Sequence, residues 1–221
     1  MSNDYHFITS WRVRGTNGEV ADVLRDPLDL SRWWPAVYLS VEEVTPPDER
    51  GLNQRVRLRT KGWLPYTLLW DFVVTESRYP DGFAIQAFGD FVGRGVWTIT
   101  QDDEFVNAQF DWRIRAEKPL LQALAPLMRP LLEANHLWAM RQGEESLNLE
   151  LARRRAATDA ARRSVSPPPG PVTYAAVGIL AGAALVGAGL GLLVLRQQRK
   201  SRRRRERDAA SNGCRLENRR S

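Results

Sequence analysis

The stretch FVNAQFDWRIRA, residues 105–116, followed two residues later by PLLQALAPLMRPLLEANHLWAMRQGEESLNLELARRR from Pro119, decides the fold. In the first part Val106, Ala108, Phe110, Trp112 and Ile114 share one face. Asn107, Gln109, Asp111, Arg113 and Arg115 share the other. Alternation of this kind marks an antiparallel strand with one dry side. In the second part Pro119 opens a helical stretch predicted to run to about Ala157. Leu120, Leu124, Leu127, Met128, Leu131, Asn135 and Trp138 fall on one helical face. Pro126 and Pro130 each remove a backbone donor, which predicts a broken first segment and a longer helix from near Pro130.

Upstream, the same alternation recurs. Tyr5–Arg14 is a first strand, with Tyr5, Phe7, Trp11 and Val13 on one face. Thr16-Asn-Gly-Glu19 is a capping box for a short helix whose apolar side is Val20, Val23 and Leu24. Asp26-Pro27 reads as a second cap, before a helix Leu28–Trp34 that Pro35 ends. Strands are then expected at Tyr38–Val44, Gln54–Thr60, Tyr66–Ser77, Phe83–Gly89, Gly95–Thr100 and Phe105–Ala116. Pro46-Pro47-Asp48, Lys61-Gly62, Pro80-Asp81-Gly82, Gly93 and Asp102-Asp103 supply the turns. The expected class is α+β: one long helix across the dry face of a curved, seven-stranded antiparallel sheet. A single helix is narrow beside such a sheet, so a cavity between them follows from the geometry.

Charge divides the chain. Residues 1–151 sum to −6 and residues 152–221 to +12, and all eight Trp lie in the acidic part. A nucleic-acid footprint on the folded part is thereby disfavoured. One Cys excludes an intramolecular disulfide, and two His, His6 and His136, make a His-based zinc site improbable. No phosphate loop, CxxC pair, GxSxG or HExxH is present, so no metal or cofactor is expected.

The organisation expected is a domain at 1–157, a Pro-rich linker at 158–171, a transmembrane helix at 172–195 and a basic, disordered tail at 196–221. VTYAAVGILAGAALVGAGLGLLVL, residues 172–195, has no charge over 24 residues and could span about 36 Å. Gly178, Gly182, Gly187 and Gly191 form two GxxxG pairs, a possible route to a homodimer. Arg196–Arg207 reads as a stop-transfer run in contact with anionic lipid. The positive-inside rule favours a cytoplasmic C-terminus. The lack of an N-terminal apolar segment, an Asn-x-Ser/Thr site or a domain Cys favours a cytoplasmic domain instead, and the expectation is a single-pass membrane protein of that orientation.

The order of elements resembles the helix-grip fold of the START-like, or SRPBCC, superfamily, above all its polyketide cyclase/dehydrase and coenzyme Q-binding branch. Asp26-Pro-Leu-Asp-Leu-Ser-Arg-Trp-Trp-Pro35 is similar to that family's post-helix segment. Asn135-His-Leu-Trp-Ala-Met-Arg-Gln-Gly-Glu144, through Leu147, is similar to its C-terminal helix. The resemblance covers about residues 5–155 and implies a hydrophobic pocket between sheet and helix. Ligands across the superfamily include lipids, sterols, quinones, hormones and polyketides, and members range from carriers to cyclases.

Trp33 and Trp34 are candidate ligand contacts, since tandem Trp offers rigid apolar area with N–H donors. Trp70, Phe110, Trp112, Met128, Leu131 and Trp138 are the further expected lining. His136 is the weak catalytic candidate, and Asp71 and Asp111 are expected on a solvated outer face. The leading expectation is a membrane-tethered protein that binds a lipid, quinone or polyketide-like molecule. A polyketide cyclase/dehydrase-type enzyme is the alternative, and a non-catalytic membrane interaction protein the third reading.

Overall fold

The computed structural model describes residues 4–117 and 119–173, with the side chains of all of these except 119–128. Among the described residues seven strands and three helices follow the order anticipated, and a fourth, short helix lies where a linker was expected. Strand β1 (Asp4–Arg14) leads into helix α1 (Asn17–Leu24), a 3-10 turn (Pro27–Asp29) and α2 (Leu30–Trp33). Strands β2 (Tyr38–Thr45), β3 (Arg55–Lys61), β4 (Thr67–Ser77), β5 (Gly82–Gly89), β6 (Phe91–Asp102) and β7 (Phe105–Ala116) come next. Helix α3 (Pro119–Arg155) and the short α4 (Asp159–Ser164) follow.

The seven strands form one antiparallel sheet in the order β1-β7-β6-β5-β4-β3-β2. Each neighbouring pair is sequential except β1–β7, whose register runs from Asp4 opposite Arg115 to Arg14 opposite Phe105. That long-range pairing carries the first strand to the side of the last, so both flank the start of α3. The dry face is the one the alternation marks: Trp11, Val13, Val56, Leu58, Trp70, Phe72, Val106, Ala108, Trp112 and Ile114 are all buried.

The capping box forms as its spacing requires. The Thr16 hydroxyl accepts from the Glu19 amide at 3.3 Å, and the Thr16 amide donates to the Glu19 carboxylate at 2.9 Å. Arg155, at the far end of α3, then donates to that carboxylate from Nε at 2.7 Å, tying α1 to the long helix. A second clasp joins α2 to α3. Glu150 is 2% exposed and accepts a bidentate pair of bonds from Arg32 at 2.7 and 2.8 Å, and a third from Arg154 at 2.8 Å. Charge at this depth is tolerated because every carboxylate oxygen is met by a guanidinium.

Three expectations need correction. Helix α3 is continuous through both proline positions. Pro130 is exposed, so the carbonyl it leaves without a donor can meet water instead of breaking the turn. The buried face of α3 is also set differently: Met140, Gly143, Ser146, Leu147, Glu150 and Leu151 point inward, while Leu131 and Leu137 are 39% and 50% exposed. Gly143 explains the phase. A Cβ there would lie 2.3 Å from the Trp34 ring and 2.7 Å from the Trp11 ring, so two indoles fix which side of the helix meets the sheet.

The third correction concerns the membrane. No helix among the described residues is long and apolar enough to cross one. Helix α3 has the length, at 37 residues, but carries charges such as Arg129, Glu133, Arg141 and Glu145 along it, and α4 has six residues. The expected span at 172–195 lies, beyond Thr173, outside the described residues, as do the glycines Gly178, Gly182, Gly187 and Gly191 and the basic run. The single-pass anchor, the membrane localisation and the tethered reading built on it are withdrawn on this finding. Met1–Val172 forms one unit, and the function is argued from it alone.

Candidate ligand cavity

Between the sheet's dry face and α3 lies a cavity of about 890 Å³. Its volume falls within the range of small-molecule sites. Its floor is aromatic. Trp97, Phe110 and Trp112 stack in a row, with centroids 4.6 and 5.3 Å apart and interplanar angles of 21° and 22°. Their packing depends on Gly95 on the neighbouring strand: a Cβ on it would sit 2.8 Å from both Phe110 and Trp112. Trp70 continues the wall, 5.8 Å from Trp112, and its indole N–H donates to the Thr60 hydroxyl at 3.0 Å.

The remaining walls mix apolar and polar groups. Tyr5, Phe7 and Tyr38 come from the strands, Tyr66 from the turn just before β4, and Leu132, Asn135, His136, Ala139 and Met140 from α3. Burial pushes the Tyr38 hydroxyl up and that of Tyr66 up to about 12, so both remain protonated at neutral pH. His136 stacks on Phe7 with centroids 4.2 Å apart, and its Nε2 lies 3.1 Å from the Thr9 hydroxyl. Burial lowers its pKa from 6.5 to about 4, so the imidazole is neutral at pH 7. Among the described residues no carboxylate is bonded to it. The Asn135 amide oxygen accepts from the Leu64 N–H at 3.3 Å, holding the β3–β4 turn against α3.

The residues anticipated as lining are distributed unevenly. Trp34, Trp70, Phe110 and Trp112 border the cavity. Trp33 does not; it is fully buried behind Trp34. Leu131 and Trp138 lie on α3 but do not border the cavity, which Leu132, Asn135, His136, Ala139 and Met140 line from that helix. Met128 lies outside the described side chains. The alternation missed Tyr38 and Tyr66 as site residues, although Tyr66 heads the dry face of its strand. The signal for Asn135 and His136 was their i, i+4 spacing to Ala139 and Met140, whose small or flexible side chains leave room on that face.

Asp71 and Asp111 point away from the cavity. Asp71 is buried on the outer face because Arg55 and Arg57 close over it at 2.8 and 3.0 Å. Asp111 bonds Arg113 at 3.1 Å and His6 at 3.0 Å. Among the described residues no group of three His, Cys, Asp or Glu could hold a metal ion.

Comparison with known proteins places the fold. No family model and no curated protein matches the chain. Solved structures do. A protein from Thermus thermophilus has a TM-score of 0.55 at 15% identity, covering 69% of this chain and 100% of its own. The Zhui aromatase/cyclase from Streptomyces sp. R1128 has a TM-score of 0.55 at 18% identity, covering 70% of this chain and 97% of its own. A START superfamily protein from Mycobacterium smegmatis has a TM-score of 0.50 at 12% identity, covering 64% and 98%. At these identities the likeness is one of fold: an α+β helix-grip domain with seven antiparallel strands and a long C-terminal helix.

Proposed function

We propose that the domain takes up one hydrophobic, polyketide-like molecule in the cavity and promotes proton transfer on it, in the manner of a polyketide cyclase/dehydrase. The observation that supports this reading is the pairing of an aromatic floor with a neutral histidine in the helix wall. The row Trp97, Phe110 and Trp112 offers stacking area to a planar ligand. Burial of the ligand's apolar surface supplies the affinity, at about 25 cal/mol per Å² before the cost of ordering it.

The polar wall sets the ligand's orientation. Tyr38 and Tyr66, both protonated, are donors for a ligand carbonyl. In the tautomer whose Nε2–H donates to Thr9, the His136 Nδ1 is the acceptor for a proton next to that carbonyl. The fold of an aromatase/cyclase adds to the case without deciding it. A carrier without chemistry is the second reading, favoured by one feature: His136 leans on a hydroxyl where acid–base sites use a carboxylate.

Exchange of the α-protons of 2-tetralone in deuterated buffer, followed by NMR, tests the proposal. Wild-type protein is expected to accelerate exchange, and His136→Gln to lose about 100-fold of that rate while still binding the ketone. Binding with no acceleration would leave the carrier. No binding at all would refute both.

A further inference from the structure

On strand β3 the dry face reads Val56, Leu58, Thr60, and all three are buried, Thr60 at 5% exposure. Alternation calls for an apolar residue at the third place. Valine has nearly the shape of threonine, and a hydroxyl taken out of water costs free energy unless its hydrogen-bonding capacity is used. Part of that capacity is used inside the protein: the Trp70 indole N–H donates to the Thr60 oxygen at 3.0 Å. An indole nitrogen only donates, so Thr60 is the acceptor in this bond and its own proton points elsewhere. Among the described residues nothing accepts that proton.

The needs of Trp70 do not by themselves account for the hydroxyl. Trp11, Trp33 and Trp34 are also buried, and their indole N–H groups have no partner among the described residues. The fold therefore accepts a buried indole without an acceptor. Thr60 differs in its place, since it borders the cavity together with Trp70. Tyr38, a hydroxyl donor of the same cavity, stands directly opposite it on β2. Gly62, two residues on, packs against the Asn135 amide, so this end of β3 lies beside the stretch of α3 that carries His136.

We infer that Thr60 is a ligand contact: its hydroxyl, oriented by the Trp70 indole, donates to a carbonyl oxygen of the molecule in the cavity. The inference rests on the cavity reading above and names the side chain that receives the ligand's oxygen. A carbonyl takes the Thr60 proton without bringing another donor that would need its own acceptor. A hydroxyl that donates becomes a better acceptor, so the bound oxygen also strengthens the bond from Trp70.

The test compares a ketone with its hydrocarbon, 2-tetralone with tetralin, on the full chain. Affinities are read by displacement of 1-anilinonaphthalene-8-sulfonate. Thr60→Val is expected to bind 2-tetralone about tenfold more weakly than wild type and tetralin equally well, and Thr60→Ser to keep most of the ketone affinity. Equal weakening of both probes, or no change in either, would overturn the inference and leave Thr60 a packing residue. Thr60→Val also strips Trp70 of its acceptor, so a second measurement uses wild-type protein with 15N-labelled indoles. The Trp70 indole proton, identified as the resonance missing from Trp70→Phe, is expected to move further downfield with 2-tetralone than with tetralin. The same shift with both probes would overturn the inference. A wild type that binds neither probe would overturn the cavity reading, and this inference with it.

Discussion

His136 gives the sharpest prediction, because the cavity wall that makes it a candidate base also gives it a thermodynamic signature. Its pKa falls from 6.5 to about 4 on burial against Phe7. A histidine whose folded pKa lies below its unfolded value binds its proton more weakly in the native state. Its contribution to stability is therefore intact above pH 6.5 and is lost as the pH falls from there to about 4. The full difference corresponds to about 3 kcal/mol, and the loss at pH 4.5 is about 2.5 kcal/mol. Urea unfolding of wild type and His136→Gln, followed by tryptophan fluorescence at half-unit steps from pH 7.5 to 4.5, isolates the effect, since other titrating groups are common to both. The stability difference between the two proteins should be flat above pH 7 and shift by about 2.5 kcal/mol toward the variant by pH 4.5. Parallel profiles would show that His136 is not desolvated, and the neutral base in the cavity wall would fall with it.

Three further outcomes are expected. Gly143→Ala drives a methyl into the Trp34 and Trp11 rings and should cost about 1–3 kcal/mol despite the better helix former, measured as a lower urea midpoint with unchanged m. Glu150→Gln removes the carboxylate that Arg32 and Arg154 share and leaves them Asp29 alone. Because Arg32 is half exposed, the loss should be about 2 kcal/mol, below that of a fully buried pair, and Arg32→Met in the same background should recover part of it. Glu19, held at a pKa of about 2 chiefly by Arg155, stabilises α1 above pH 4.5. Glu19→Gln should cost about 1 kcal/mol at pH 7, with the difference from wild type vanishing as the pH approaches 2.

What the sequence disclosed follows from which interactions are local. Strand faces are legible because alternation has a fixed period, and Val106–Ile114 points inward as that period requires. The capping box is legible because its partners lie three residues apart. The phase of α3 was not, because it depends on Trp11 and Trp34 meeting Gly143 across more than a hundred residues, and leucine counting placed the exposed Leu131 inside. The cavity's polar wall was equally hidden. Tyr38, Tyr66 and His136 come from three distant segments; His136 alone stood out in the sequence, and nothing local showed that the two tyrosines would join it. Asp71 looked like a solvated surface group until the register of β3 against β4 set Arg57 opposite it.

The central claim is that the space between sheet and helix holds one hydrophobic small molecule. Native mass spectrometry of the full chain, offered a panel of aromatic ketones, quinones and fatty acids, tests it most directly when Ala139→Trp is run beside wild type. Ala139 borders the cavity from α3, so tryptophan there occupies the space while leaving the sheet untouched. The account predicts one bound molecule per wild-type chain and none in a variant that remains folded. Wild-type protein that takes up nothing from the panel, or a variant that binds as well as wild type, would contradict it.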